Sequence, residues 1–324
     1  MTFVHDDTDF DALLAIVAQK RSLSRGLVEK DYWITHSLWA LHQVGFEAWF
    51  KGGTSLSKGF GLIERFSEDL DLKIEPGRVG AVPHVTSWKS EGKKAIRERE
   101  AFFAALADTI KVQGATVALD PTFKDPTHRN AHFRVDYPGQ HRDELAGVLK
   151  PFVVLEVGSA RVTPFVDKDL SSFIHDHLAE IQQLDGFDDN RPRQVHCVHP
   201  LVSLVEKLDA LHKRVNRTDV EPATFVRHFE DAARVIRAEP SLPPLQGYAG
   251  PLALAKDMLA HKQIVALPSP DDPAFTLQAG ERTDAVRRAY AAIASIFWGP
   301  RLELDESCTI IRQWIERTFA DATP

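Results

Sequence analysis

Residues 45–74 read GFEAWFKGGTSLSKGFGLIERFSEDLDLKI, and the fold turns on how this stretch is read. Phe46 to Phe50 is aromatic-rich and predicts a short strand, Gly52 and Gly53 a turn, Ser55 to Ile63 a short helix, and Asp69 to Ile74 a second strand. Side chains two apart on a strand share a face, so Asp69 and Asp71 present paired carboxylates while Leu70 and Leu72 point to the core. The glycines remove side chains where backbone would have to approach a triphosphate, and a helix beginning just after them offers free N–H groups and a positive dipole end. Hard cations such as Mg²⁺ (or Mn²⁺) take oxygen ligands, typically one or two carboxylates together with substrate phosphates. A D-x-D pair alone is common at solvated strand edges; the ordered combination of strand, glycine turn, helix and double-aspartate strand is what points to phosphoryl or nucleotidyl transfer.

A third carboxylate is expected on a neighbouring strand, where it could ligate metal and help deprotonate an attacking hydroxyl. Two strands downstream supply candidates: AHFRVDY (131–137) and PFVVLEVGSA (151–160). Glu156 is the first choice, because a carboxylate on the same face as Phe152 and Val154 costs free energy unless it is paired or bound to metal. Asp136 is the competitor, and for either the plainer reading is a strand-end charge that reaches solvent.

Upstream, residues 9–43 have helical periodicity, with Ser24 as a cap and Leu27, Ile34, Leu38 and Leu41 on one face. Residues 77–92 predict a loop and residues 93–111 a helix. Beyond Pro192 and Pro200 the pattern is helical almost to the end, with breaks at Pro240–Pro251 and Pro268–Pro273. These features predict an α+β protein: a strand-containing domain over 1–195 with N-terminal helices, followed by a helical domain over 196–324.

At this point the sequence resembles a family. KGGTSLSKGFGLIERFSEDLDLKI is similar to the nucleotidyltransferase signature of the AbiEii and MenT group of bacterial toxins, whose transferase core is polymerase-β-like. The resemblance extends to VEKDYWITHSLWAL before the core, LVEKLDALHKR after it and RHFED at 227–231, whereas residues 77–150 match poorly. It implies that Gly52, Gly53 and Thr54 form the phosphate-facing turn and that Ser67, Asp69 and Asp71 form the metal-binding strand motif. It also implies a small mixed sheet flanked by helices, with an active-site lysine at Lys207 and a further carboxylate at Asp231 on the helical domain, which would close a cleft; His228 stands where the family often has a second aspartate. By the same resemblance, the acceptor is the 3′ end of tRNA and a separately encoded antitoxin restrains the enzyme. On the residues alone, Lys207 flanks the apolar face of Leu201, Leu204, Leu208 and Leu211 and could be a surface lysine, while Arg227 and Asp231 have the spacing of a surface ion pair. A transferase acting on a small-molecule or protein hydroxyl, and a non-enzymatic module retaining the fold, are the competing functions.

Composition bounds the rest. The chain of 324 residues is 44% apolar and 26% charged, with a net charge of −7, so any nucleic-acid contact has to be local. Two distant cysteines, Cys197 and Cys308, fit a reducing compartment. The acidic N-terminus and the short apolar run from Ala12 to Ala18 suit neither a signal peptide nor a span, which predicts a cytoplasmic location. His196, Cys197 and His199 lack the further ligands a structural zinc site needs, the histidines at 175 and 177 read as exposed, and the basic stripe Lys89, Lys93 and Arg97 is interrupted by glutamates.

Overall fold

The computed structural model describes residues 2–67, 69–146 and 149–320. Two helices open the chain, α1 (Phe10–Arg21) and α2 (Arg25–Val44). The Ser24 hydroxyl caps α2 by accepting the Leu27 amide, and Gly45, in the left-handed region at φ 98°, ends it. There follow β1 (Glu47–Lys51), the single turn α3 (Gly52–Thr54) with a π-type turn over Ser55–Gly59, and β2 (Asp69–Glu75). Next come α4 (Lys93–Thr109), β3 (Thr116–Leu119), β4 (Asn130–Asp136), β5 (Val153–Gly158), β6 (Phe165–Lys168), α5 (Phe173–Glu180) and β7 (Val195–Val198). The remainder is helical: α6 (Pro200–Arg214), α7 (Arg227–Ala238), α8 (Pro251–Ala260), α9 (Pro273–Thr276), α10 (Glu281–Ala292) and α11 (Leu304–Phe319).

The strands form one mixed sheet in the order β3-β4-β5-β2-β1-β7-β6. Pairs β1/β2, β3/β4 and β4/β5 are antiparallel, and β2/β5 and β1/β7 are parallel. Alternation sorts the two faces. Phe50, Leu70, Leu72, Ile74, Phe133, Val135, Val153, Leu155 and Val157 are all buried, whereas Asp69, Asp71, Lys73 and Glu75 are only partly so. Burying nine such side chains, each worth about 1.5–3 kcal/mol, fixes the register and thereby the side on which the carboxylates emerge.

The chain divides into two compact units. One comprises Met1–Gly59, Ser67–Val162 and Asp167–Cys197; the other comprises Phe60–Phe66, Thr163–Val166 and Val198–Pro324. In the first unit, α2 carries three buried charges in succession, and each is satisfied. Glu29 accepts the amides of Gln140 and His141, Lys30 donates to the carbonyls of Lys150 (2.7 Å) and Phe152 (3.1 Å), and Asp31 accepts from Lys58 Nζ (2.5 Å) and the Phe173 amide (2.8 Å). The VEKDYW segment therefore seats α2 on the loops flanking the sheet, as buried charges require.

Three expectations need correction. The helix predicted for Ser55–Ile63 stops at Gly59, after which Phe60–Phe66 belongs to the second unit; a side chain at Gly59 would press on Cys197 Sγ (3.0 Å), and Gly61 adopts φ 63°. Strands β3, β6 and β7 were not legible, because four-residue segments carry too little periodicity. His175 is buried rather than exposed: its Nδ1 meets Ser172 Oγ at 2.7 Å and its Nε2 meets Asn190 Oδ1 at 2.7 Å.

Candidate active site

Strand register assembles the predicted carboxylates. Asp71 on β2 lies opposite Lys51 on β1 and Glu156 on β5, and Glu156 lies opposite His132 on β4. Cross-strand partners share a face, so Lys51, Asp71, Glu156 and His132 form one row over four strands, with Asp69 two residues along on that face. His132 Nε2 stands 3.8 Å from Glu156 Oε2. Asp136, the competing third carboxylate, lies further along β4 and pairs with Arg134 at 3.0 Å, so the register favours Glu156.

The glycine turn packs directly on this row. Gly52 has φ 74°, and a β-carbon there would overlap Asp71 Oδ2 and lie 2.6 Å from its Cγ, so the carboxylate occupies the space a side chain would take. Thr54 is buried, and its hydroxyl donates to the Asp69 carbonyl at 2.9 Å, which ties the turn to the start of β2. Gly53 is buried within α3, and Ser67 is half-buried two residues before Asp69.

The residues present suit a divalent cation. Asp69 Oδ1 is buried and accepts no hydrogen bond among the described residues, although Lys150 Nζ approaches to 3.6 Å. That oxygen is met by the Lys150 ammonium as an ion pair but by no hydrogen-bond donor among the described residues. Among the described residues no three His, Cys, Asp or Glu side chains converge as a ready-made cage. The arrangement is two carboxylates on one strand with Glu156 alongside, the type of donor set that holds Mg²⁺ jointly with substrate phosphates. Burial lowers the pKa of His132, with Asp69 pulling in the opposite direction.

In the second unit, Asp231 on α7 is fully buried. Arg65 grips it with two parallel bonds, Nε to Oδ1 and Nη2 to Oδ2, both 2.7 Å, and Lys207 Nζ reaches Oδ2 at 2.8 Å. Burial alone would raise the Asp231 pKa, but the Arg65 and Lys207 charges overcome it and hold the carboxyl well below the usual range. Burial lowers the Lys207 pKa, with Asp231 opposing the shift, and His228 Nδ1 lies 3.5 Å from its ammonium. Neither surface alternative describes these residues: Lys207 is buried, and Asp231 pairs with Arg65 and Lys207.

Sequence reading missed Arg65. Its signal was available, an arginine set between Ile63 and Phe66, since a guanidinium in apolar company needs a carboxylate partner. The histidine–cysteine segment disperses: His196 pairs with Asp167 (2.6 Å), Cys197 is buried, and His199 Nε2 meets the Pro243 carbonyl (3.0 Å).

Comparison with known families bears directly on this geometry. The family model described as nucleotidyl transferase AbiEii toxin, type IV TA system, matches residues 40–299. The chain belongs to the AbiEii nucleotidyltransferase toxin family. The matched AbiEii region contains the glycine turn, the aspartate strand, Glu156, Lys207 and Asp231, and membership makes the chain an enzyme that transfers a nucleotide. As the toxin of a type IV toxin–antitoxin system, an AbiEii protein implies a nucleotide substrate and a cognate antitoxin. No curated protein matches the chain. Among solved structures, JHP933 from Helicobacter pylori is similar over 92% of this chain and 97% of its own, at 12% identity and a TM-score of 0.39. Among the described residues no helix is long and apolar enough to cross a membrane.

Proposed function

We propose that this AbiEii protein transfers a nucleoside monophosphate from a Mg²⁺-bound triphosphate to an acceptor hydroxyl at the 3′ end of tRNA, on a polymerase-β-like core. The observation that carries the reading is the packing of Asp71 against the Gly52 backbone, with Glu156 in register beside it. The acceptor oxygen forms a bond to the α-phosphorus as the bond to the β-phosphate oxygen breaks, and pyrophosphate leaves with that electron pair. The Glu156 carboxylate takes the acceptor proton. Asp69 and Asp71 hold the divalent ion, which when bound supplies neutralisation of phosphate charge and polarisation of the reacting phosphate. Gly52, Gly53 and Thr54 present backbone to the phosphates, with Ser67 at the entry to the strand. The family resemblance gives Lys207 the charge that develops on pyrophosphate. Modification of tRNA ends would halt translation, in keeping with a toxin held in check by its antitoxin.

The test incubates purified protein with Mg²⁺, each of the four labelled triphosphates in turn, and total tRNA, resolved on a denaturing gel. Label on RNA supports the reading; label on protein or a small molecule moves the acceptor elsewhere. Asp69→Ala and Asp71→Ala are each expected to lower transfer at least ~10²-fold, the scale for losing electrostatic stabilisation of a transition state. Near-normal turnover in both variants would remove the mechanism.

A further inference from the structure

The start of β2, the start of β5 and the end of β1 lie at one end of the sheet, because β2 and β5 run parallel and β1 runs against them. The glycine turn leaves β1 at that end, directly after Lys51, which lies opposite Asp71. Lys150 reaches the same end from the other side. It stands just before β5, which begins at Val153, and Val154 of that strand lies opposite Asp69. Phosphates laid against the turn, as the reading above has them, are therefore met by Asp69 and Lys150 at the same end of the sheet.

The Lys150 ammonium stands 3.6 Å from Asp69 Oδ1, an oxygen that accepts no hydrogen bond among the described residues. The backbone that carries this lysine is anchored from below. Lys30 on α2 is buried, and its ammonium donates to the Lys150 carbonyl at 2.7 Å and to the Phe152 carbonyl at 3.1 Å. The Lys150 side chain itself is 40% exposed, against 25% for Asp69. A pair so open to water contributes little to stability, so the ammonium leaves its partner at small cost. A compact charge on a long flexible stem, above a fixed backbone, can be redirected without disturbing the strand that follows it.

Asp69 thus has two claimants. A hard divalent ion seeks the same carboxylate oxygen, and two cations drawn to one oxygen repel each other. A triphosphate carries more negative charge than one divalent ion cancels, and its oxygens accept from an ammonium more strongly than neutral groups do. We propose that Lys150 is a phosphate-binding residue of this site that shares Asp69 with the divalent ion: with the ion on Asp69, the Lys150 ammonium turns to the triphosphate. The proposal rests on the nucleotidyl-transfer reading above and adds a cation from the first unit to the groups that hold the nucleotide. It also sets an order of events, since the partner that draws Lys150 off Asp69 is the one the ion accompanies. A lysine that merely braced Asp69 would aid the ion and the nucleotide alike; a lysine shared in this way opposes the first and aids the second.

The test uses the full chain as wild type, Lys150→Met, Lys150→Arg and Asp69→Ala. Mn²⁺ is titrated without nucleotide, its free concentration read by electron paramagnetic resonance. Non-hydrolysable analogues of ATP, GTP, CTP and UTP are then titrated in turn at saturating Mg²⁺ by calorimetry. Lys150→Met is expected to bind Mn²⁺ about threefold more tightly, the scale of one partly exposed ion pair removed. The same variant is expected to bind the preferred analogue roughly tenfold more weakly, the scale of one hydrogen bond to a charged group. Its melting temperature should match wild type, because Lys30 holds the carbonyl of residue 150 and not its side chain. Lys150→Arg, which keeps the charge, should stay near wild type in both titrations. Mn²⁺ affinity unchanged or weakened in Lys150→Met, or analogue affinity unchanged, would overturn the proposal. Mn²⁺ binding that needs Asp69 but ignores Lys150 would sink this proposal alone, whereas a wild type that binds Mn²⁺ no better than Asp69→Ala would sink the metal site of the reading above together with it.

Discussion

Replacing Gly52 by alanine isolates the contact on which the site is built. At φ 74° an L-residue pays about 1–2 kcal/mol for the left-handed conformation. The new methyl would also overlap Asp71 Oδ2 and stand 2.6 Å from Cγ and 3.0 Å from Cβ, so either the carboxylate rotates away or the turn lifts off β2. An off-rotamer Asp71 adds about 0.5–1.5 kcal/mol. The sum, about 1.5–3.5 kcal/mol, corresponds to a fall in melting temperature of roughly 3–14 °C for a unit of this size. Transfer should fall at least ~10²-fold, because Asp71 leaves the position it shares with Asp69. The informative comparison is Gly52→Ala combined with Asp71→Ala. Removing the carboxylate relieves the overlap with Oδ2 and Cγ, so the double variant should be more stable than the sum of the singles by about 1 kcal/mol, while remaining inactive. Thermal melts and the labelled-triphosphate assay supply both readouts. Strict additivity in stability, or Gly52→Ala with wild-type turnover, would show that the turn and Asp71 do not compete for one space.

Three further outcomes follow from buried ionisable groups. Asp231→Ala should destabilise the protein by about 3–5 kcal/mol in urea titrations, since it strands Arg65 and Lys207 without a counter-charge, whereas Lys207→Met leaves Asp231 on Arg65 and should raise KM for the triphosphate with only a small change in melting temperature. A large loss of stability in Lys207→Met would make the lysine structural. Burial pushes His36 and His175 down to about 4, His36 with help from the neighbouring His5. Because the unfolded chain takes up these protons near pH 6.5 and the folded protein resists until about pH 4, their contribution is complete above about pH 6.5 and is lost as pH falls through that window. Each removes about 2 kcal/mol by pH ~5, so unfolding free energy should drop by about 4 kcal/mol between pH ~8 and ~5, and His36→Gln should flatten that slope. A flat profile over the window would refute the assignment.

How much was legible beforehand depended on whether local pattern or distant pairing fixed a residue. Asp69 and Asp71 could be read because alternation is local, and Glu156 because a carboxylate in a run of β-branched residues needs a reason to be there. The row that joins them to Lys51 and His132 could not be read, since register across β1, β2, β5 and β4 is set by packing of residues far apart in sequence. His132 looked like any strand histidine until β4 was placed against β5. The same limit hid Arg65, 166 residues from its partner. Spacing along a helix instead suggested Arg227 for Asp231, because the i,i+4 rule knows only neighbours on the same helix.

The Arg65–Asp231–Lys207 group also decides what kind of part Asp231 can play. Both carboxylate oxygens already meet cations at 2.7–2.8 Å, so they are in no position to serve as metal ligands in the way proposed for Asp69, whose Oδ1 accepts no hydrogen bond among the described residues. With one anion set against two cations, the group keeps a single positive charge, and the rigid fork of Arg65 takes both carboxylate oxygens in bidentate fashion. Lys207 is left as the more adjustable donor, and on the proposed function it would give part of its charge to a phosphate without leaving Asp231 bare. On the proposed function, Asp231 would act on a ligand only through the cations it holds, as a positioning residue, and its loss should damage folding before it damages chemistry.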